Sequence, residues 1–354
     1  MYSKPIDSNA SADFRRAFDI IYVEEAAMEH PRTRRILSRL PHSTVIPCRD
    51  YKDIFCRRGQ EPALQKQAQA LILALGKPPY LYPGAPVCQN FGEKHFYYTS
   101  GVMNCIFDCE YCYLQGMYTS GHMVVFVNPE DTFRALDGIL AKESSYVCIS
   151  YDTDLLALEP LLGFVSDWCN YASAHPNLTL ELRTKCAAIS TLSSLPVTPN
   201  CVLALTLSPG AVIRAYEHRT APLAARLEFA KAALSLGWPV RLCFDPMLSV
   251  PDYAEQYNAM FDTVFAALPM DRIRDVSIGL FRISKEYLKQ MRKHRPCAVT
   301  YYPYELTDGV YHYPKSVSDA LTELAYQRLT SVLPAERIFL WESGETDIRK
   351  GNDV

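Results

Sequence analysis

Residues 202–244 read VLALTLSPGAVIRAYEHRTAPLAARLEFAKAALSLGWPVRLCF. Val202–Leu207 and Val240–Phe244 are short apolar runs of strand type, and Pro222–Leu236 between them carries apolar residues at helical spacing. Working outward, the same alternation predicts strands at Phe96–Ser100, Tyr146–Ser150, Leu178–Arg183 and Val276–Arg282. It predicts helices at Pro129–Lys142, Leu158–Ala174, Ala188–Leu195 and Tyr253–Leu268. Alternating β and α units imply a parallel sheet with right-handed crossovers. Six units are fewer than the eight of a closed barrel. The expected fold is therefore α/β, an open partial (β/α)6 barrel. A doubly wound sheet is the runner-up, because periodicity alone does not separate the two.

Ahead of this region, Phe18–Val23 reads as a strand, Glu24–Leu40 as a helix with a basic end, and residues 60–76 as another helix. Pro78, Pro79, Pro83 and Pro86 then break regular structure. This places residues 1–85 in an N-terminal extension, begun by a small, polar tail over 1–15, and residues 86–342 in the barrel. Beyond the sixth strand, Ile283–His294 is a helix with Lys285, Lys289, Arg292 and Lys293 at i, i+4, i+7 and i+8, one face. Residues 300–313 are Tyr-rich, with Tyr301 and Tyr302, and Asp308-Gly309 is a strong hairpin signal. A last helix (Ser316–Leu333) and strand (Arg337–Trp341) precede a tail over 343–354.

The composition is 49% hydrophobic and 21% charged in 354 residues, which excludes a disordered or collagen-like chain. No apolar run reaches the roughly 18 residues of a membrane span, and the N-terminus lacks a signal-peptide core. A cytoplasmic location is expected. A net charge of -3 argues against nonspecific coating of nucleic acid but leaves room for a local basic patch. Twelve cysteines without a secretory signal do not suggest a disulfide framework.

Three of the twelve are grouped. Cys105-Ile-Phe-Asp-Cys109-Glu-Tyr-Cys112 is C-x3-C-x2-C, just after the first barrel strand. Three thiolates on one tight loop can hold three irons of a [4Fe–4S] cubane and leave the fourth open to a small molecule. Structural zinc prefers four closed ligands, and neither His95 nor His122 completes a familiar zinc pattern. Chance grouping is the third reading.

C-x3-C-x2-C followed by an aromatic residue resembles the signature of the radical S-adenosylmethionine superfamily, whose members use a partial (β/α)6 barrel. NCIFDCEYCYLQ, VFVNPEDTF, SYDTDLLALEPL, LRTK and residues 211–240, together with IYVEEAAMEHPRTRRIL near the N-terminus, are similar to the spore photoproduct lyase family. The resemblance runs from about residue 18 to 342 and is weakest in the last quarter. It implies a lyase that reverses 5-thyminyl-5,6-dihydrothymine in the DNA of ultraviolet-damaged spores at germination. It further implies a [4Fe–4S] cluster, S-adenosylmethionine, an electron donor such as flavodoxin or ferredoxin, a location in the spore core, no membrane and a monomer. Matched position by position, Cys105, Cys109 and Cys112 would ligate the cluster, and Tyr111 and Tyr113 would relay a radical. Lys185, Thr153, Asp154, Thr206 and Ser208 would bind the cofactor. Lys285, Lys289, Arg292 and Lys293 would meet DNA phosphates, and Tyr301 and Tyr302 would lie near the lesion.

One departure stands out. The family's hydrogen-donating cysteine lies in a Ser-Cys-Thr-Ser-Asp segment, and here that segment is Ser150-Tyr151-Asp152-Thr153-Asp154. Three donors stay open: Cys88, in an irregular segment before the cluster strand; Cys148, on the same strand; and Tyr151 itself. Cys88 is preferred. A related enzyme acting on another substrate is the alternative function, and a zinc-stabilised nucleic-acid-binding module is a rival from another class.

Overall fold

A computed structural model describes residues 18–84 and 88–341. The expected tails at 1–15 and 343–354, and the segment around Pro86 where the two regions were divided, lie outside the described residues. Seven parallel strands follow one another in space in chain order: Phe96–Tyr98, Ser145–Cys148, Leu178–Thr184, Cys201–Thr206, Val240–Met247, Asp275–Leu280 and Ile338–Leu340. Tyr82–Pro83 adds a short antiparallel edge. All six expected barrel strands are present, and the C-terminal strand joins them.

The sheet curls. Arg241 Nη1 donates to the Tyr146 hydroxyl at 2.7 Å, although two strands stand between them. On a flat sheet their backbones would lie roughly 14 Å apart with parallel side chains. Contact therefore requires that this face be concave. Arg241, 1% exposed, also binds Glu181 at 2.9 Å and grips Asp275 with two nitrogens. This buried charged layer plugs the end of the concavity where the strands begin. The site forms at the other end, beyond the carboxyl ends of the strands, where α/β sheets place their ligands.

A second sheet has the order Thr44–Cys48, Ile20–Glu24, Leu71–Ala74, Met123–Phe126, Val102–Met103, the first four strands parallel. Two of its strands come from beyond residue 86, so the regions on either side of residue 85 share a sheet. The helix expected over 60–76 is corrected. Only Pro62–Gln65 is helical, and Leu71–Ala74 is a central strand buried on both faces. A strand of that kind reads as an unbroken apolar run, which periodicity cannot tell from buried helix. The helix expected over Leu158–Ala174 is two, Leu155–Leu162 and Phe164–Ser173, broken at Gly163 with φ 72°.

The expected hairpin forms from Glu305–Thr307 and Val310–His312, with positive φ at both Asp308 and Gly309, as a type I′ turn demands. A third strand, Arg282–Ser284, joins it. The basic helix, Lys285–His294, packs on the short helix Leu114–Met117 that follows the cysteine loop. A Cβ at Gly116 would collide with the Tyr287 backbone carbonyl. Gly116→Ala is therefore expected to cost about 1–3 kcal/mol, read as a lower urea midpoint. Among the described residues no helix is long and apolar enough to cross a membrane.

Candidate active site

The cysteine loop is held from both sides. Lys66 donates to the carbonyls of Cys105 and Phe107, and Gln69 to that of Cys105 at 3.2 Å. Asn104, at φ 71°, turns the chain and accepts from the Cys105 amide through its own side chain. Asp108–Cys109 pairs with Glu217–His218 as a short antiparallel ladder, and Arg295 grips Asp108. Cys109 is buried, and Cys105 and Cys112 are half-buried. Burial pushes the Cys109 thiol up to about 12 and the other two to about 11. Such thiols ionise only against a strong local cation, and a bound metal is one. Among the described residues no three His, Cys, Asp or Glu side chains converge on a single ion. Among those residues a single zinc ion has no preformed site. A cubane, taking one thiolate per iron, does not require that convergence, and the donor set fits it.

Beside the loop stands Lys185, at the end of the strand Leu178–Thr184. Its ammonium donates to the Tyr111 hydroxyl at 2.8 Å and lies 3.8 Å from Cys109 Sγ and 4.0 Å from Glu217. Asp154 caps the following helix through the Ala157 amide, accepts from the Thr184 hydroxyl, and holds the Lys185 amide at 2.7 Å. Both of its oxygens are thus engaged within the protein, where they fix Lys185. Thr153 differs: its buried hydroxyl has no partner, and a buried orphan of that kind calls for a ligand. Thr206 is buried, its carbonyl taken by Arg226, and Ser208 donates to Glu217 at 2.8 Å.

The two tyrosines around Cys112 diverge. Tyr111 donates to Glu217, whereas the Tyr113 hydroxyl reaches the Tyr151 carbonyl at 2.7 Å. Cys88 Sγ lies 3.3 Å from the Tyr151 hydroxyl. Tyr151 stacks on Tyr98 with centroids 4.1 Å apart. Cys148 lies deeper, donating to Glu181 at 3.7 Å. Cys88, Tyr151 and Tyr113 therefore form a contiguous chain towards the cysteine loop, with Cys148 below it.

The basic face divides. Lys285, Lys289 and Lys293 are exposed, but Arg292 turns inward, bonding the Thr300 carbonyl at 2.7 Å between the rings of Tyr301 and Tyr311. Tyr301 is 61% exposed, whereas Tyr302 packs with Tyr304 and Tyr313.

The family model for spore photoproduct lyase matches residues 96–303, more than half of the chain. The chain belongs to the spore photoproduct lyase family. The Spore photoproduct lyase of Bacillus subtilis (strain 168) is 24% identical over 198 residues, 54% of this chain and 58% of that relative. The Clostridium acetobutylicum relative is 24% identical over 166 residues, 45% of this chain and 48% of its own. The chain thus matches about half the length of its curated relatives. A solved spore photoproduct lyase complexed with dinucleoside spore photoproduct superposes with a TM-score of 0.79 at 15% identity, covering 96% of this chain and 99% of that one. A mutant with bound AdoMet and the same dinucleoside gives 0.78 at 15% identity over 92% of this chain and 98% of that one. At such identities these likenesses establish a shared fold.

Glu217 escaped the sequence reading. It joins Tyr111, Ser208, Lys185 and the fully buried Arg226 into one cluster, and opposing charges hold its carboxyl down to about 2. The only sequence signal was a glutamate in the YEHRT segment, and nothing local marks it as a hub. Lys66 was likewise hidden, because its target is a backbone carbonyl 39 positions away.

Proposed function

We propose that this chain is a radical S-adenosylmethionine lyase on a partial (β/α)6 barrel, returning spore photoproduct in DNA to two thymines. The observation that carries the reading is the triplet Cys105, Cys109 and Cys112 beside Lys185, at the carboxyl ends of a curled parallel sheet, in a chain of this family. The reduced [4Fe–4S] cluster would supply the electron that cleaves S-adenosylmethionine to a 5′-deoxyadenosyl radical. Lys185 is suited to the methionine carboxylate, since its ammonium already stands beside the cysteine loop and would turn to the ligand from the Tyr111 hydroxyl and Glu217. The free Thr153 hydroxyl is available to the same ligand, with Thr206 and Ser208 lining the next strand end. Asp154 contributes by fixing Lys185 rather than by offering a free oxygen. A closed site would keep water from a reactive carbon radical, and Thr153, Asp154, Thr206 and Ser208 at this end are buried.

In this reading Cys88 returns the hydrogen. A thymine radical takes the hydrogen atom of the Cys88 S–H, leaving a thiyl radical, and the adjacent Tyr151 O–H restores it. Tyr113 holds Tyr151 by its backbone and is the next ring towards the cofactor, their centroids 5.9 Å apart. Cys88→Ala is expected to cleave cofactor and open the lesion but yield trapped adducts, such as a thymine sulfinate in dithionite, in place of clean thymine. Cys148→Ala should give clean product. Mass spectrometry of both variants decides; adducts from Cys148→Ala alone would transfer the role.

DNA would lie along Lys285, Lys289 and Lys293 near Tyr301. Lys289→Glu with Lys293→Glu should weaken duplex binding and lower the salt slope by about 1 for each lost phosphate contact. An unchanged slope would show that the face is only solvated. An electron donor of flavodoxin or ferredoxin type completes the cycle. The function itself is tested by anaerobic reconstitution with iron and sulfide. A brown protein that releases 5′-deoxyadenosine from S-adenosylmethionine is expected. A colourless one that does not would overturn it.

A further inference from the structure

Between the two sheets lies a cavity of about 400 Å3 that contains none of the cysteine-loop, cofactor-binding or hydrogen-donor residues. It is built where α/β folds place ligands. In the N-terminal sheet the strand Ile20–Glu24 has Thr44–Cys48 on one side and Leu71–Ala74 on the other. The chain therefore runs one way and then the other, leaving a crevice outside the strand ends. The segments that follow three of these strands, Asp50–Lys52, Leu75–Pro79 and Asn128–Thr132, line the cavity on that side. The far side comes from the barrel: Tyr98, Ser100, Asp152 and Trp168. Its size falls within the range of small-molecule sites, roughly 300–1,000 Å3.

The distribution of charge and rings selects the ligand. Asp152, 2% exposed, accepts hydrogen bonds from Ser100 and from Tyr118 at 2.9 Å, with the Tyr113 hydroxyl at 3.5 Å. No basic side chain among the described residues pairs with it, and burial raises its pKa while only hydroxyls oppose the rise. A buried carboxylate is ordinarily matched by a cation. The charged groups elsewhere on the lining, Asp50, Lys52 and Lys77, lie at least partly in water, where solvent and salt screen them. The half-buried walls are aromatic: Tyr51, Tyr82, Tyr98 and Phe126. Aromatic faces attract a cation within about 6 Å, and the space is far larger than a bare metal ion fills. We propose that the cavity binds a small organic cation, an alkyl- or quaternary-ammonium ion whose charge lies against Asp152 and whose body fills the ring-lined space. Tyr98 is part of that wall and also stacks on Tyr151, which contacts Cys88, so the ligand would sit two rings from the proposed hydrogen donor.

The test is calorimetric titration of the full chain with choline and with its neutral isostere, 3,3-dimethylbutan-1-ol. Saturable binding of choline, at least about tenfold tighter than the alcohol, is expected from a cation–π contribution added to one ionic contact. Asp152→Asn keeps the volume and the acceptor oxygen and should bring the two ligands to similar affinity. If that variant does not fold, Tyr82→Leu, on a half-buried ring, should weaken choline and spare the alcohol. Equal affinities in the unaltered chain would overturn the proposal, and so would no saturable binding. Tighter binding of adenosine monophosphate, or a choline preference untouched by the substitution, would do the same. None of these outcomes depends on iron or lesion chemistry, so they leave the proposed function independently testable.

Discussion

Arg241→Ala should unfold at markedly lower urea than the unaltered protein, with a loss of about 3–5 kcal/mol. The guanidinium is the only cation among the described residues that touches both Glu181 and Asp275, and it sits at the bottom of the concave face over the Phe91 ring. Among the described residues, its removal leaves the buried Glu181 with Arg183 alone as a cation and the buried Asp275 with the exposed Arg274 alone, and takes the guanidinium from the Tyr146 hydroxyl. Domains of this kind are typically stable by only about 5–15 kcal/mol, so the loss is a large share of the total. The same layer sets a pH dependence. Arg183 and Arg241 depress Glu181 despite its burial, and Arg282 and Arg183 depress Asp245. A carboxyl whose folded pKa lies below its unfolded value adds stability that is complete above the ordinary carboxylate range and is lost as pH falls through the folded pKa. Urea midpoints should therefore hold steady near neutrality and fall on acidification below about pH 4.5. A midpoint that rises on acidification would contradict the assignment.

Cys109→Ala should abolish both iron retention and cofactor cleavage while leaving the fold intact. The residue enters its short ladder with Glu217 through backbone atoms, so alanine preserves the pairing and removes only the sulfur. Two remaining thiolates cannot hold a cubane. Cys186→Ala, a half-buried cysteine outside the triplet, should reconstitute like the unaltered chain. Iron content and visible absorption of the two variants, measured beside their circular dichroism, separate ligand loss from unfolding. Near-full iron in Cys109→Ala would remove the triplet from its role.

What the sequence disclosed follows from how far each signal reaches along the chain. The barrel strands were legible because each is a short apolar run punctuated by turn residues, and the Asp308-Gly309 turn because φ demands particular residue types. Leu71–Ala74 was not, since burial on both faces erases the alternation that marks a strand. The split at Gly163 was hidden inside one continuous apolar pattern. The cysteine loop announced itself by spacing. The contact of Cys88 with Tyr151 spans 63 positions, and the resemblance pointed to it only by removing the usual donor. Glu217 and Asp152 carry no local signature at all, because what distinguishes them is which partners the fold brings to them. Arg292 shares a helical face with Lys285 and Lys289 in projection, yet its length lets it turn back onto the Thr300 carbonyl, which spacing does not report.

The most direct test of the central claim is anaerobic incubation of the reconstituted protein with dinucleoside spore photoproduct, S-adenosylmethionine and dithionite, followed by chromatography of the nucleosides. The account predicts thymidylyl-thymidine accumulating over many turnovers, with the lesion consumed in step. Cleavage of S-adenosylmethionine at a normal rate with the lesion left intact would contradict it.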